Sequence, residues 1–557
     1  MRSPQLLSCR RLSSSSWKRP SFGPNLLEYT GGRFLFNEEL RRSERRLNFN
    51  VNELANVLCH SVGRPVGDLV SITKLVEGGF NRVLQATLND DRKVLARIPF
   101  RITAPAHYAT ASEAATLTLL RQHSIPVPKV LGYSCTSANP VGTEYLLLEK
   151  LEGKPLSDTW FSLEPEVLTS ITKQIVDIEV RYMSIPFPAS GSLYFDNDLT
   201  TEKMVPVQDS ERGKIIVGPL ATYAWWYQQR AALHVDKGPW NNFSQCFEAP
   251  ARRELGSLKQ HGKPRLHYER SVSELHGFKE RLPATHAKFL SDYLKLAPSL
   301  DVPERFTRPT LRHPDFSPSN ILINDNNEIT GIIDWQHAAI LPLALCAGVP
   351  RCVQNWGNSE STAQITPPTA LPANLESLTP AEQHNLEERL RKKNLHCYYT
   401  DSMRRHLPDH FDAIHDESLM LRAKLYDRAA APWEGDSLSL KHTIIDVMSK
   451  CPLHVSTDDG ATSTPALATE CPVTYSHDEI VQCMEEFKQQ EEKYDDVADM
   501  RAMMGTNAIG WVENDEHLEM AKEMKEAIRN ASLELCETED ERRSLVDHFP
   551  FDDHEED

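Results

Sequence analysis

Three side chains within twenty residues carry the most chemistry in this chain: Asp315, Asn320 and Asp334, in Leu311-Arg312-His313-Pro314-Asp315-Phe316-Ser317-Pro318-Ser319-Asn320 and, further on, Gly331-Ile332-Ile333-Asp334-Trp335. Between them lie two apolar runs, 320–323 and 329–333, separated by Asn324-Asp325-Asn326-Asn327. Strand composition around a cluster of turn formers predicts a tight hairpin. A hairpin joins its own ends, so Asp334 is expected beside Asn320 and Asp315. Two carboxylates and an amide converging on one point make a poor core, since unpaired buried carboxylates are costly. They suit Mg2+, a hard cation that takes one or two carboxylates and completes its shell with substrate phosphates. The chemistry that fits is phosphoryl transfer: one acid orients or deprotonates an attacking hydroxyl, while the amide and the other acid hold metal on a nucleotide. An Asx-turn with a capped hairpin is the purely structural alternative.

Such a site needs a nucleotide-binding element upstream. Residues 71–99 break into short apolar runs, with strands expected at 72–76, 82–88 and 94–98, and turns at 77–81 and 89–91. The first turn, Glu77-Gly78-Gly79-Phe80-Asn81, lets backbone amides approach a phosphate closely, although Gly-Gly also closes ordinary hairpins. A helix over 109–122 follows, with Glu113 near its start, where the helix dipole alone would favour an acid. Two further strands and the connection to a second lobe are expected in residues 125–133 and 145–153, and beyond them helices dominate. Trp225, Trp226 and Trp240 either line a pocket for an organic acceptor or anchor helix packing. The Arg41–Arg46 run reads as a solvated helix face with Glu partners.

These segments together resemble the aminoglycoside phosphotransferase and choline kinase-like family over roughly residues 70–345. Within it they are most similar to a fungal mitochondrial branch, the altered inheritance of mitochondria type. The resemblance implies an α+β, bilobal, protein-kinase-like fold: a small antiparallel β-sheet N-lobe with one helix, and a large, mainly α-helical C-lobe. It implies ATP and Mg2+ as cofactors, Asp315 as catalytic base, and Asn320 and Asp334 as metal ligands. Gly78, Gly79, Phe80 and Asn81 would cover the nucleotide phosphates. Arg97 would stand where the family carries a strand-three lysine, with Glu113 as its helical partner. The hinge around Glu149 and Leu151 would read adenine through its backbone. Three residues depart from the pattern: Arg97 for Lys, Pro314 for Gly, and Ser317 where many relatives carry a second His. Arginine binds phosphate, but with a planar fork rather than a point charge.

The 557 residues exceed one ordinary core, and a hydrophobic fraction of 40% with 25% charged residues is that of a globular protein. The net charge of −18 argues against a nucleic-acid partner, and no apolar run reaches the roughly 20 residues of a membrane span. Eleven cysteines without metal spacing read as free thiols. Residues 1–27 are acid-free, Arg-rich and Ser-rich, the composition of a mitochondrial transit peptide rather than a secretory signal. The expected organisation is a transit peptide at 1–27, a helical extension at 28–69, the N-lobe at 70–150 and the C-lobe at 151–476, with the catalytic loop at 311–335. An acidic helical region at 477–557 follows, ending in a frayed tail. The expected activity is transfer of the γ-phosphoryl of ATP to a hydroxyl of a small molecule in the mitochondrial matrix. A nucleotide-binding scaffold without turnover is the alternative. A protein kinase is disfavoured, because no Ala-Pro-Glu segment follows Asp334.

Overall fold

The computed structural model describes residues 20–200, 203–208, 215–355, 378–451, 454–455, 466–467 and 471–554. The proline- and threonine-rich loop expected at 366–372, most of the loop at 456–468 and the first nineteen residues of the expected transit peptide lie outside them.

The alternating runs of the N-lobe form one sheet. In chain order, β1 is Ser21–Phe22, β2 is Arg33–Phe34, and helices α1 (Glu38–Glu44) and α2 (Val51–Ser61) precede the long strands. These are β3 (Leu69–Glu77), β4 (Asn81–Leu88) and β5 (Lys93–Pro99), then helix α3 (Tyr108–Gln122), β6 (Val130–Ser134) and β7 (Tyr145–Glu149). The strand order is β1-β3-β4-β5-β7-β6, antiparallel throughout except for β1, which runs parallel to β3. Strand alternation accounts for the design: Leu84, Ala86 and Leu88 of β4 and Val94, Ala96 and Ile98 of β5 point into the core.

The extension is more than a helical preface. Leu26, Tyr29, Phe34, Leu47 and Phe49 share one core with Leu69, Ile72 and Leu84 of the sheet. Fully buried Arg82 pins the two parts together, pairing with Glu77 and donating to the Leu26 carbonyl at 2.8 Å. Residues 20–27, counted above with the transit peptide, therefore contribute a strand and a core side chain. The arginine run is also only partly solvated: Arg45 is buried, its guanidinium 5.1 Å from the Phe34 ring centre.

The C-lobe is helical, as expected, with α4 (Pro165–Met183) and the helices Phe243–His261, Pro283–Leu296, Pro380–His406, Glu417–Ala430 and Leu438–Lys450 around one core. Trp225 and Trp240 belong to that core, their ring centres 5.2 Å apart, so they act as packing anchors rather than a pocket wall. Among the described residues no helix is long and apolar enough to cross a membrane.

As far as residue 554, the last one described, the acidic C-terminal region is packed rather than frayed. Trp511 and Val512 pair antiparallel with Phe34 and Arg33 of β2, and the Trp511 indole donates to the Tyr29 hydroxyl at 3.0 Å. Phe549 and Phe551 are buried, Asp552 pairs with Lys525 and Arg529, and His554 donates its N–H to Asn37 at 2.9 Å. Apolar side chains spaced among the acids supply the core that charge content alone concealed. The helix Asp515–Leu535 lies between this tail and His477–Met504, whose Arg501 and Lys493 pair with Glu269 and Glu274 of the C-lobe. The C-terminal region thus straps the C-lobe to the extension.

Candidate active site

The hairpin forms where the alternation places it, with strands Ile321–Ile323 and Ile329–Ile332 around Asn324, whose side chain accepts the N–H groups of Asn326 and Glu328. A third strand, Lys154–Pro155, pairs with Ile323 and Leu322, so the segment leaving the N-lobe is stitched directly to the hairpin. Gly331 leaves room for Leu151: a Cβ there would come within 2.3 Å of Leu151 Cδ1, and that side chain would have to turn away.

His313 ties the loop to the far strand. Its Nδ1 accepts the Asp315 N–H at 3.1 Å and its Nε2 lies 2.9 Å from the Ile333 carbonyl. Since Nδ1 accepts, Nε2 carries the proton and the ring is neutral. Burial pushes its pKa down to about 4, which keeps it so. Phe316 and Trp335 pack against the ring. Behind the loop, Arg312 donates to Glu179 Oε1 at 2.6 Å and to the Gly348 carbonyl at 3.0 Å. Glu179 takes Tyr182 as well at 3.0 Å and Tyr399 at 2.7 Å.

On this frame the three predicted residues come together. The Asn320 side-chain amide donates to the Asp315 main-chain carbonyl at 2.9 Å and to Asp315 Oδ2 at 3.3 Å. The Ile333 N–H donates to the Asn320 carbonyl at 3.0 Å, and Asp334 follows directly, in the left-handed region at φ 64. Asp tolerates that conformation better than most residues, and here it turns the chain two residues past the strand end at Ile332.

Arg97 joins the lobes. One arm of its guanidinium binds Glu113 on α3, and another binds Asp334 and lies 3.1 Å from Gln336 Oε1. Burial lifts the Glu113 carboxyl, and the Asp334 charge adds to this against the pull of Arg97, bringing it to about 7. Burial also works against the Asp334 carboxylate, but the Arg97 charge and hydrogen bond outweigh it and hold the carboxyl below its usual range. The triad shares one positive charge between two acids, and the more exposed acid keeps its negative charge.

Of the remaining predicted residues, Asn81 joins this cluster through Gln336, the partner it shares with Arg97, and the others lie apart from it. Gly78 and Gly79 have open space on the Cβ side, nothing nearer than 3.9 Å at Gly78 and nothing within 4 Å at Gly79. Neither holds a positive φ, so neither crowding nor strain within the chain calls for glycine there. Phe80 instead lays its ring against Tyr223 and His337 of the C-lobe, with centres 5.2 and 5.5 Å apart. Asn81 is buried, 2.6 Å from Gln336. Glu149 has its N–H on the Lys129 carbonyl and its carboxylate on Arg121, away from the cluster. Leu151 packs over Gly331 of the hairpin. Sequence reasoning missed Gln336, Glu179 and Arg351. Gln336 directly follows the Asp-Trp pair, which was a usable signal; the other two are distant in sequence.

The donor set suits a hard cation. Asp315 Oδ1 is buried without a hydrogen-bond donor, and among the described residues neither Asn320 Oδ1 nor Asp334 Oδ2 receives one. No group of three or more His, Cys, Asp or Glu side chains able to hold a metal occurs among the described residues. A cation here would therefore complete its shell from phosphate and water oxygens.

Residues 71–345 match the model of the family described as "Phosphotransferase enzyme family". A relative from Aspergillus fumigatus, described as a subtelomeric hrmA-associated cluster protein, is 30% identical over 521 residues, covering 87% of this chain and 97% of that one. "Altered inheritance of mitochondria protein 9, mitochondrial" from Clavispora lusitaniae is 26% identical over 373 residues, 58% of this chain and 61% of that protein. Among solved structures, a thermostable mutant of aminoglycoside phosphotransferase APH(4)-Ia in ternary complex with ADP and hygromycin B is 15% identical, with a TM-score of 0.34, over 71% of this chain and 97% of that one. The chain belongs to the phosphotransferase enzyme family.

Proposed function

We propose that the protein transfers the γ-phosphoryl group of ATP to a hydroxyl of a small molecule. The observation that carries this reading is the convergence of Asp315, Asn320 and Asp334, with donor-free oxygens, at the end of one hairpin. In this reading Asp315 orients the acceptor hydroxyl and takes its proton. Asn320 and Asp334 would hold Mg2+, which when bound offsets the charge of the β- and γ-phosphates. The Gly78-Gly79 turn offers the phosphates an uncrowded approach, with the Gly78 N–H itself held on the Asn81 carbonyl at 2.9 Å; Arg97 keeps Asp334 ionised, and Glu113 fixes Arg97 from the other side. The main chain around Leu151 is the proposed adenine edge, since the Glu149 N–H is already committed. Such catalysis is positioning and charge compensation, which few residues can supply.

Relatives named as mitochondrial and the basic, acid-free first residues support a mitochondrial site of action. The proposed import signal is confined to residues 1–19, because Leu26 is buried in the core. A fluorescent fusion lacking residues 1–19 should stay outside mitochondria; import of that fusion would refute the signal.

The test of the enzymatic reading is the melting temperature with ATP, with and without Mg2+, beside Asp334→Asn. A ligand at about 100 times its dissociation constant adds roughly 2.7 kcal/mol. The expected result is a Mg-dependent rise that Asp334→Asn abolishes, together with ATP turnover that Asp315→Asn abolishes. The second reading, a nucleotide-binding scaffold, is favoured by the commitment of Arg97 to both Glu113 and Asp334. It predicts the same thermal shift with no consumption of ATP.

A further inference from the structure

Arg351 stands beside Asp315 without a structural reason to be there. It begins the single turn Arg351–Val353, whose other two residues are buried. The Val353 carbonyl lies 3.0 Å from His396 Nδ1, and Gln354 Nε2 donates to the Val349 carbonyl at 2.7 Å. The backbone carrying Arg351 is therefore fixed. Its side chain, in contrast, is 73% exposed, with Nε 3.6 Å from Asp315 Oδ1. Exposed ion pairs contribute about 0–1 kcal/mol, so stability does not account for an anchored arginine at this position.

The charge balance of the cleft gives it a task. His313 is neutral, and residues 314–320 contain no cation. Arg312 is spent on Glu179, and Arg97 on Glu113 and Asp334. No other Lys or Arg forms an ion pair with Asp315 among the described residues. Phosphoryl transfer spreads negative charge over three equatorial oxygens, and an arginine fork matches that geometry with paired N–H donors.

Resting on the phosphotransferase reading, we propose that Arg351 binds the phosphoryl group in transit, on the acceptor side of the site. In the step, the acceptor oxygen forms a bond to the γ-phosphorus, the bond from that phosphorus to the bridging oxygen of ADP breaks, and the hydroxyl proton passes to Asp315. Arg351 neither gains nor loses a bond; it exchanges Asp315 for the phosphoryl oxygens.

The experiment compares the affinity of the full chain for Mg-ADP with that for Mg-ADP plus aluminium fluoride, a stand-in for the transferring group, in wild type, Arg351→Ala and Arg351→Lys. The wild type should bind the fluoride complex at least tenfold more tightly than Mg-ADP alone, as transition-state mimics are bound. Arg351→Ala should keep Mg-ADP affinity within about twofold and lose most of that increment, with partial recovery in Arg351→Lys. An Arg351→Ala variant that kept the whole increment, or a wild type that binds Mg-ADP with no increment, would overturn the assignment to Arg351 and leave nucleotide binding standing. A wild type that binds neither Mg-ADP nor its fluoride complex would overturn the phosphotransferase reading, and this proposal with it.

Discussion

Two arginine–glutamate networks lie on either side of the hairpin of residues 321–332, and they are built from the same parts to opposite ends. Behind the hairpin, Arg312 and Glu179 are sealed: Glu179 is fully buried and its oxygens receive Arg312, Tyr182 and Tyr399. In front of it, Arg97 and Glu113 are just as enclosed, yet the third member, Asp334, has a side chain 48% exposed and an oxygen without a donor. A closed network positions the loop, whereas an open one leaves capacity for a ligand. The completeness of the partners, rather than the presence of charge, separates scaffold from site.

The largest effect that would sharpen this contrast is Arg312→Ala. It strands Glu179 in the core, and breaking a buried pair costs about 3–5 kcal/mol. Denaturant unfolding should show that loss, while Arg97→Ala should cost less, because water reaches Asp334 and the stranded Glu113, its carboxyl already lifted to about 7, can take up a proton. Equal losses at both sites would erase the distinction between them.

A second effect is pH dependence at Glu113. Its folded carboxyl binds a proton more tightly than the ordinary 4.5, with a pKa of about 7. The stability it contributes is therefore full below about 4.5 and is lost as pH rises through about 7. The window is worth up to roughly 3 kcal/mol at 1.36 kcal/mol per unit. Glu113→Gln, which cannot ionise, should flatten the stability profile between those limits. An unchanged profile would mean that Arg97 holds Glu113 ionised throughout.

How much of this was legible in the sequence follows from the range of each interaction. The hairpin, the strands of the N-lobe and the meeting of Asp315, Asn320 and Asp334 rest on local alternation and turn residues, and all were readable. Glu179 lies 133 residues from Arg312, and no spacing rule links them. The packing of the C-terminal region through residue 554 was hidden by its charge: 26 acidic and eight basic residues lie between 477 and 557, a net −18 equal to that of the whole chain. Phe549, Phe551 and Trp511 organise it nonetheless, and their partners in the extension are nearly five hundred residues away. Phe80 and Asn81 were singled out because they follow two glycines; their packing against His337 and Gln336, more than 250 residues away, had no local signal.

The smallest effect is the most discriminating. Tyr399→Phe removes one of the three donors on Glu179 and leaves the shape of the core unchanged, so it should cost about 1–2 kcal/mol in denaturant unfolding. If the rear network only supports the loop, Mg-ATP affinity should not move, because Arg312 and Tyr182 still hold Glu179 and His313 still bridges Asp315 to Ile333. A change in affinity at constant fold would show that the rear network sets the poise of the loop through Arg312. The two networks would then be one device, joined across the two residues between Arg312 and Asp315.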